Sequence, residues 1–263
     1  CATGHSFDIA KQGYVNLLPV QQKRSHDPGD SKAMVAARQR FLSAGHYQPV
    51  AEAVSHAVIR RFEEQQGSGS PTLSCLDAGC GEGYYLRQLN HAMPAVQSRA
   101  LIGLDISKWA VLAAAKQDDK QSPISRWVVG SNAHLPVQAG SMDSVMCMFG
   151  FPVYSEFMRV LKQGGMLLQV EAGPDHLREL REIIYPTLKP ERPNAEKVAE
   201  GFVHHRTDSL RYPLALTGAD QIADLLAMTP HLYRASAEGR ARAAALEALD
   251  TTVDVRLVQW LRI

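Results

Sequence analysis

Between residues 73 and 171 the chain alternates short, almost wholly apolar runs with stretches whose apolar residues recur at helical spacing. The apolar runs predict buried strands over 73–77, 100–105, 126–130, 143–149 and 166–171. The stretches between them predict helices over 84–92, 108–117 and 153–162. Such alternation predicts a parallel sheet with helices on both faces. Lys162-Gln163-Gly164-Gly165 is expected to break the helix ahead of the fifth strand. The pattern then changes. Residues 209–216 and 252–261 read as strands around a helix at 218–227, which predicts a closing antiparallel section. Residues 186–201, rich in Pro, Glu, Lys and Asn, read as an exposed excursion. Upstream, Asp30 or Ser31 caps a helix that runs through Leu42 and stops at Gly45. A second helix over about 49–64 leads into the linker Gly67-Ser68-Gly69-Ser70-Pro71. The expected division is 1–46 for an N-terminal segment and 47–263 for the sheet domain.

Bulk properties narrow the function classes. A chain of 263 residues fits one large domain, or one domain with a small appendage. No apolar run approaches a membrane span, and the N-terminus does not resemble a signal peptide. Cys1, Cys75, Cys80 and Cys147 are not spaced like a disulfide framework. The expectation is a cytoplasmic protein with no membrane partner. A net charge of +1 argues against a molecule that grips nucleic acid over its whole surface. The average hides a basic arm. Residues 1–46 carry Lys11, Lys23, Arg24, Lys32, Arg38 and Arg40 against Asp8, Asp27 and Asp30. Such an arm holds phosphates, though charge alone fits a solvated loop better.

The densest chemical signal is Leu76-Asp77-Ala78-Gly79-Cys80-Gly81-Glu82-Gly83, where a strand ends in an acid and a glycine turn opens a helix. Glycines let a ligand approach the backbone, and the helix N-terminus behind them offers unpaired N–H groups. The pattern Asp-x-Gly-x-Gly-x-Gly resembles motif I of class I S-adenosylmethionine (SAM) methyltransferases. An acid there suits a cofactor that carries an ammonium and a sulfonium. Cys80 reads as a small residue filling the turn rather than as a nucleophile. The next strand ends in Asp105, placed to take both ribose hydroxyls or to cap the following helix.

A more specific likeness covers nearly the whole chain. It runs through Cys1-x-x-x-His5-x-Phe7-Asp8, Lys23-Arg24-Ser25-x-Asp27-Pro28-Gly29-Asp30-Ser31, Ala44-Gly45-His46-Tyr47-x-Pro49, the glycine turn, and Gly173-Pro174-x-His176-Leu177. These segments resemble the bacterial 23S rRNA (guanine-N1-)-methyltransferases. The resemblance implies a Rossmann-like α/β fold, with a mostly parallel seven-stranded sheet and a small zinc-ribbon-like N-terminal piece. It implies methyl transfer from SAM to N1 of a guanine in a 23S rRNA hairpin loop. Positions matching the family's SAM contacts are Tyr47, Gly81, Glu82 and His176, to which the residue pattern adds Asp77, Gly79 and Asp105. RNA contacts are expected from Lys11, Lys23, Arg24, Arg38 and Arg40. A homodimer is an open expectation.

Two departures stand out. The family's zinc module uses a further Cys-x-x-Cys pair, and this chain holds only Cys1 and His5 of the four ligands a closed site needs. A chain starting at Cys reads as truncated. Zinc is therefore expected only in a longer chain that restores the pair. The stretch Cys147-Met148-Phe149-Gly150-Phe151-Pro152-Val153-Tyr154 is also less polar than the family's, where an Arg and a Pro-Cys-Lys are usual. It is the expected target-base region, through Phe149, Phe151 and Tyr154, although core packing explains such aromatics as well. No general base is evident: His176 is claimed by the cofactor, and Glu171 and Glu156 are open candidates. Two other readings remain at this level. One is a small-molecule methyltransferase of the quinone or antibiotic type, which shares His134-Leu135-Pro136-Val137. The other is a SAM-binding RNA-interaction protein without activity.

Overall fold

A computed structural model describes residues 4, 6–22, 25–65, 72–94, 98–118, 125–188 and 200–263. In chain order its elements are β1 (Tyr14–Asn16), α1 (Lys32–Ser43), α2 (Gln48–Gln65), β2 (Leu73–Ala78), α3 (Tyr84–Ala92), β3 (Arg99–Asp105), α4 (Lys108–Gln117), β4 (Ser125–Val129), β5 (Met142–Met148), α5 (Tyr154–Val160) and β6 (Leu161–Ala172). There follow α6 (Arg178–Ile184), β7 (Phe202–Thr217), α7 (Ala219–Ala227), α8 (His231–Arg234), α9 (Ala237–Ala244) and β8 (Ala248–Arg262).

The strands form one sheet in the order β1-β4-β3-β2-β5-β6-β8-β7. The pairs from β1 to β6 are parallel. β8 then inserts antiparallel between β6 and β7, with Met166 opposite Leu261 and Ala172 opposite Val255. The central strands are apolar on both sides because both sheet faces are covered. Cys75, Met146, Met166 and Leu168 face the core beneath α2 and α3, while Leu76, Val145, Leu167 and Phe157 form the core on the opposite face.

The sheet has one strand more than the seven expected. Tyr14–Asn16 of the N-terminal segment pairs with Trp127, Val128 and Val129, so that segment is stitched onto the edge of the sheet. The Gly164-Gly165 signal also has a different outcome. The chain enters β6 at Leu161, and the glycines lie within that strand, with Gly164 at φ 72°. The register with β5 jumps from Met142–Leu161 to Ser144–Met166, so residues 162–165 form an irregularity in the ladder rather than a loop ahead of the strand. Helices α8 and α9 have no counterpart in the sequence pattern. α9 seats Gly239 against the carbonyl of Ile184, where any Cβ would collide. The linker over 67–71 and most of the excursion over 186–201 lie outside the described residues.

Candidate active site

The order of the strands leaves a crevice at their carboxyl ends, centred where β2 separates β3 from β5. β2 delivers Asp77 to this edge, and α3 begins seven residues later at Tyr84. The turn between them runs through three left-handed glycines, Gly79, Gly81 and Gly83, at φ 95°, 56° and 82°. The amides of Gly79 and Cys80 both donate to the Leu104 carbonyl, at 2.8 and 2.9 Å, and tie the turn to β3. Asp105 adds a second tie. Its Oδ2 accepts from the Gly81 amide at 2.9 Å and its Oδ1 from the Ser107 amide at 2.8 Å. Ser107 is the residue that caps α4, accepting from the Ala110 amide. Asp105 is thereby freed from capping, and each of its oxygens keeps a further lone pair.

The glycines divide their labour. A Cβ at Gly79 would meet nothing nearer than Asn132 Nδ2 at 3.9 Å, and one at Gly81 nothing nearer than Arg38 Nη1 at 3.6 Å. A Cβ at Gly83 would strike the Trp127 ring at 2.5 Å. Gly83 is required for packing, whereas a Cβ at Gly79 or Gly81 would make only ordinary contacts, with Asn132 and Arg38, so packing alone does not demand glycine there.

At the start of the turn lies Asp77, fully buried, with neither carboxylate oxygen hydrogen-bonded. Burial, with a contribution from the charge of Asp105, raises its pKa to about 8. An unpaired buried carboxylate is costly, and a ligand that carries a positive charge or N–H donors would relieve it. Asn132, just past β4, has a buried Oδ1 that is likewise unpartnered. The orphaned oxygens of Asp77 and Asn132 are acceptors, and would suit a ligand that brings an ammonium and N–H donors to this edge. Glu82 is otherwise engaged. Its Oε2 accepts from Arg87 at 2.7 Å and Gln117 at 2.5 Å, while its Oε1 is buried without a partner.

Two further pieces close over the edge. The 27–30 loop docks on the β3–α4 turn. Ser107 Oγ donates to the Asp30 carbonyl at 2.7 Å, and Trp109 Nε1 donates to Asp27 Oδ2 at 2.6 Å. Asp30 in turn pairs with Arg38, whose Nη2 donates to the Met228 carbonyl at 3.1 Å. On the other side, Tyr47 Oη lies 3.2 Å from His176 Nε2. The amide of Asp254 donates to His176 Nδ1 at 3.2 Å, so the neutral ring carries its proton on Nε2 and gives it to Tyr47. Burial keeps that ring neutral by lowering its pKa to about 4. Phe149 stacks on His176 at 5.7 Å and 27°. Its φ of 53° is rare for a residue with a side chain and marks a locally strained backbone.

Similarity to known proteins agrees with this architecture. Residues 1–26 match the family model described as RlmA, N-terminal, and residues 75–165 match a methyltransferase domain. A protein from Micromonospora griseorubida, provisionally named 23S rRNA (guanine-N(1)-)-methyltransferase, is 34% identical over 99% of this chain and 89% of its own. The 23S rRNA (guanine(748)-N(1))-methyltransferase of Streptomyces fradiae is 32% identical over 92% of this chain and 82% of its own. The chain belongs to the 23S rRNA (guanine-N1-)-methyltransferase family. A chain from the solved complex of the Haloferax volcanii Trm112 methyltransferase activator with a methyltransferase shares the fold alone. Its TM-score is 0.51 and its identity 19%, over 88% of this chain and 98% of that one.

Within this family member, the expected cofactor residues Tyr47, Asp77, Gly79, Gly81, Asp105 and His176 gather on one edge of the sheet. Of the expected target-base residues, Phe149 and Phe151 are exposed there. Tyr154 instead turns under the edge, donating to Gln169 Oε1 at 3.4 Å and packing on Phe202. Of the basic arm, Lys11 is exposed. Arg40 forms a two-pronged pair with Asp224 of α7, at 2.9 and 2.5 Å, and Arg38 pairs with Asp30. Lys23, Arg24, Cys1 and His5 lie outside the described residues. Among the described residues no cluster of three or more metal-ligating side chains occurs, and no helix is long and apolar enough to cross a membrane. Asn132 was missed in the sequence. Its signal was proximity to His134-Leu135-Pro136, just beyond a strand end.

Proposed function

We propose that this chain transfers the methyl group of SAM to N1 of a guanine in a hairpin loop of 23S rRNA. The observation that carries the cofactor reading is the unpartnered, buried Asp77 at the start of a turn whose Gly79 and Gly81 are not demanded by packing. Family membership supports the substrate. In this reading Asp105 takes the ribose hydroxyls, Asn132 the adenine edge, and Asp77 the methionyl ammonium. With ribose at β3 and the methionyl part at the β2 turn, the reactive end would lie toward β5, the next strand in the sheet, which ends at the exposed Phe149 and Phe151.

The protein's contribution is alignment, because the methyl donor is reactive by itself and the acceptor nitrogen must lie in line behind the methyl. A guanine presented from a loop, already unstacked, meets that demand at low cost. Lys11, Lys23 and Arg24 are the residues proposed to hold RNA phosphates, with Arg38 and Arg40 bracing the docked loop and α1. Zinc is proposed for a longer chain in which Cys1 and His5 join a second ligand pair. An rRNA substrate implies the cytoplasm. The departure at 147–154 keeps a small-molecule acceptor as the rival reading. The test is methylation of unmodified 23S rRNA against small quinols, with labelled SAM. Label in RNA supports the proposal, and label only in the small acceptor rejects it.

A further inference from the structure

Guanine N1 carries a proton at neutral pH, and the sequence does not single out a group to accept it. The structure narrows the choice at the β5–β6–β8 end of the crevice. Glu156 is occupied by the Leu135 amide at 2.6 Å and by Arg159 at 2.8 Å. Glu179 accepts from Thr251 and Thr252, at 2.8 to 3.0 Å. Asp175 pairs with Arg178 at 2.8 Å and Arg211 at 2.6 Å. Asp254 accepts from the Asp175 amide at 3.0 Å and is packed against Gly173. The imidazole of His176 has both nitrogens engaged. The Cys147 thiol is buried, which pushes its pKa up to about 12.

Glu171 differs from all of these. Its side chain is 42% exposed, it accepts no hydrogen bond among the described residues, and its nearest cation is Arg256 Nη2 at 3.9 Å. The pairing of Met148 with Val170, and the Phe149 amide donating to the Val170 carbonyl at 2.8 Å, place Glu171 beside Phe149 at the end of the neighbouring strand. That is the side toward which the sulfonium points in the proposed function, on which this inference rests.

We propose that Glu171 is the general base that takes the N1 proton of the target guanine, with Phe149 as the ring on which that guanine stacks. As the N1–CH3 bond forms, the S–CH3 bond breaks and sulfur keeps its electron pair, leaving S-adenosylhomocysteine. The N1 proton passes to a Glu171 carboxylate oxygen and then to solvent through the exposed side of the group. Charge balances: one sulfonium and one carboxylate become one thioether and one carboxylic acid. Phe149 is held for this role by its stack on His176 and by its left-handed backbone at the end of β5.

The test uses the full chain, labelled SAM and an unmethylated 23S rRNA hairpin, with Glu171→Gln and Glu171→Asp. Glu171→Gln keeps shape and hydrogen-bonding capacity without basicity. Its kcat should fall roughly 10²–10⁴-fold at neutral pH. It should then climb about tenfold per pH unit on the alkaline side, as guanine loses its own proton to solvent. Glu171→Asp should restore part of the rate. By calorimetry, SAM affinity should stay unchanged, as should hairpin affinity in the presence of S-adenosylhomocysteine. A kcat within threefold of wild type at every pH overturns the assignment. So does a loss of rate that tracks a fall in melting temperature with an unchanged pH profile, because Glu171 would then only brace Arg256. If the wild-type protein itself makes no N1-methylguanosine, the functional reading fails and this inference with it.

Discussion

Asp77 shows how much one side chain can reveal. In the ligand-free protein its carboxyl takes up a proton that the unfolded chain would release, because burial moves its pKa from 3.8 to about 8. A raised folded-state pKa contributes stability that is fully present below pH 3.8 and is lost as pH rises through about 8. Asp77→Asn removes that titration while keeping the shape. The variant should melt above the wild type at about pH 8.5 without ligand, and bind SAM at least tenfold more weakly. Melting curves that respond identically to pH in the two proteins would contradict this account of Asp77. Asp105 presents the opposite case, since its oxygens are already committed to the amides of Gly81 and Ser107. Asp105→Ala should weaken SAM binding by about 1.5–3 kcal/mol, the scale of lost charged hydrogen bonds. Calorimetry showing unchanged affinity would remove the ribose from this carboxylate.

Among the elements, the turn between β2 and α3 makes the sharpest distinction. Gly79→Ala brings its methyl only into ordinary contact with Asn132 and should cost about 1–2 kcal/mol of stability, from the left-handed backbone alone. It should nevertheless abolish SAM binding. Gly83→Ala pays the same strain and also collides with Trp127, so its melting temperature should fall further. Thermal unfolding and calorimetry on the pair separate the ligand glycine from the packing glycine. The elements that were legible in the sequence are those with local determinants. The expected bounds 84–92 and 108–117 are those of α3 and α4, because Gly83 and Ser107 at their starts are read from neighbours alone. The contiguous acid-and-glycine run made Asp77, Gly79 and Gly81 legible for the same reason. Long-range determinants were not. β1 is three residues that exist as a strand only because Trp127–Val129 lies beside them. The glycines of β6 do mark the end of α5, but the early return of the chain to the sheet at Leu161, ahead of them, depends on its pairing with Met142 of β5. Tyr47 and His176 meet across 129 residues of chain, and no local pattern announces that contact.

In the whole molecule the N-terminal segment packs against the sheet edge that carries the candidate site. β1 joins the sheet, the 27–30 loop locks onto the β3–α4 turn, and Arg38 reaches from α1 to within 3.6 Å of the Cβ position of Gly81. RNA held by this segment would thus be held next to the cofactor. Phosphate contacts position RNA without reading its sequence. Replacing Lys23 and Arg24 by Ala should therefore raise KM for rRNA and flatten its salt dependence, by a slope of about 0.7–0.9 per lost contact, with SAM affinity unchanged. Normal KM at every salt concentration would make this arm a solvated loop. The measurement closest to the central claim is product analysis. Unmethylated 23S rRNA is incubated with the protein and labelled SAM, then hydrolysed to nucleosides and resolved. The expected result is a single labelled nucleoside, N1-methylguanosine. Label in any other nucleoside, or none in RNA while a small acceptor is methylated, would contradict the account.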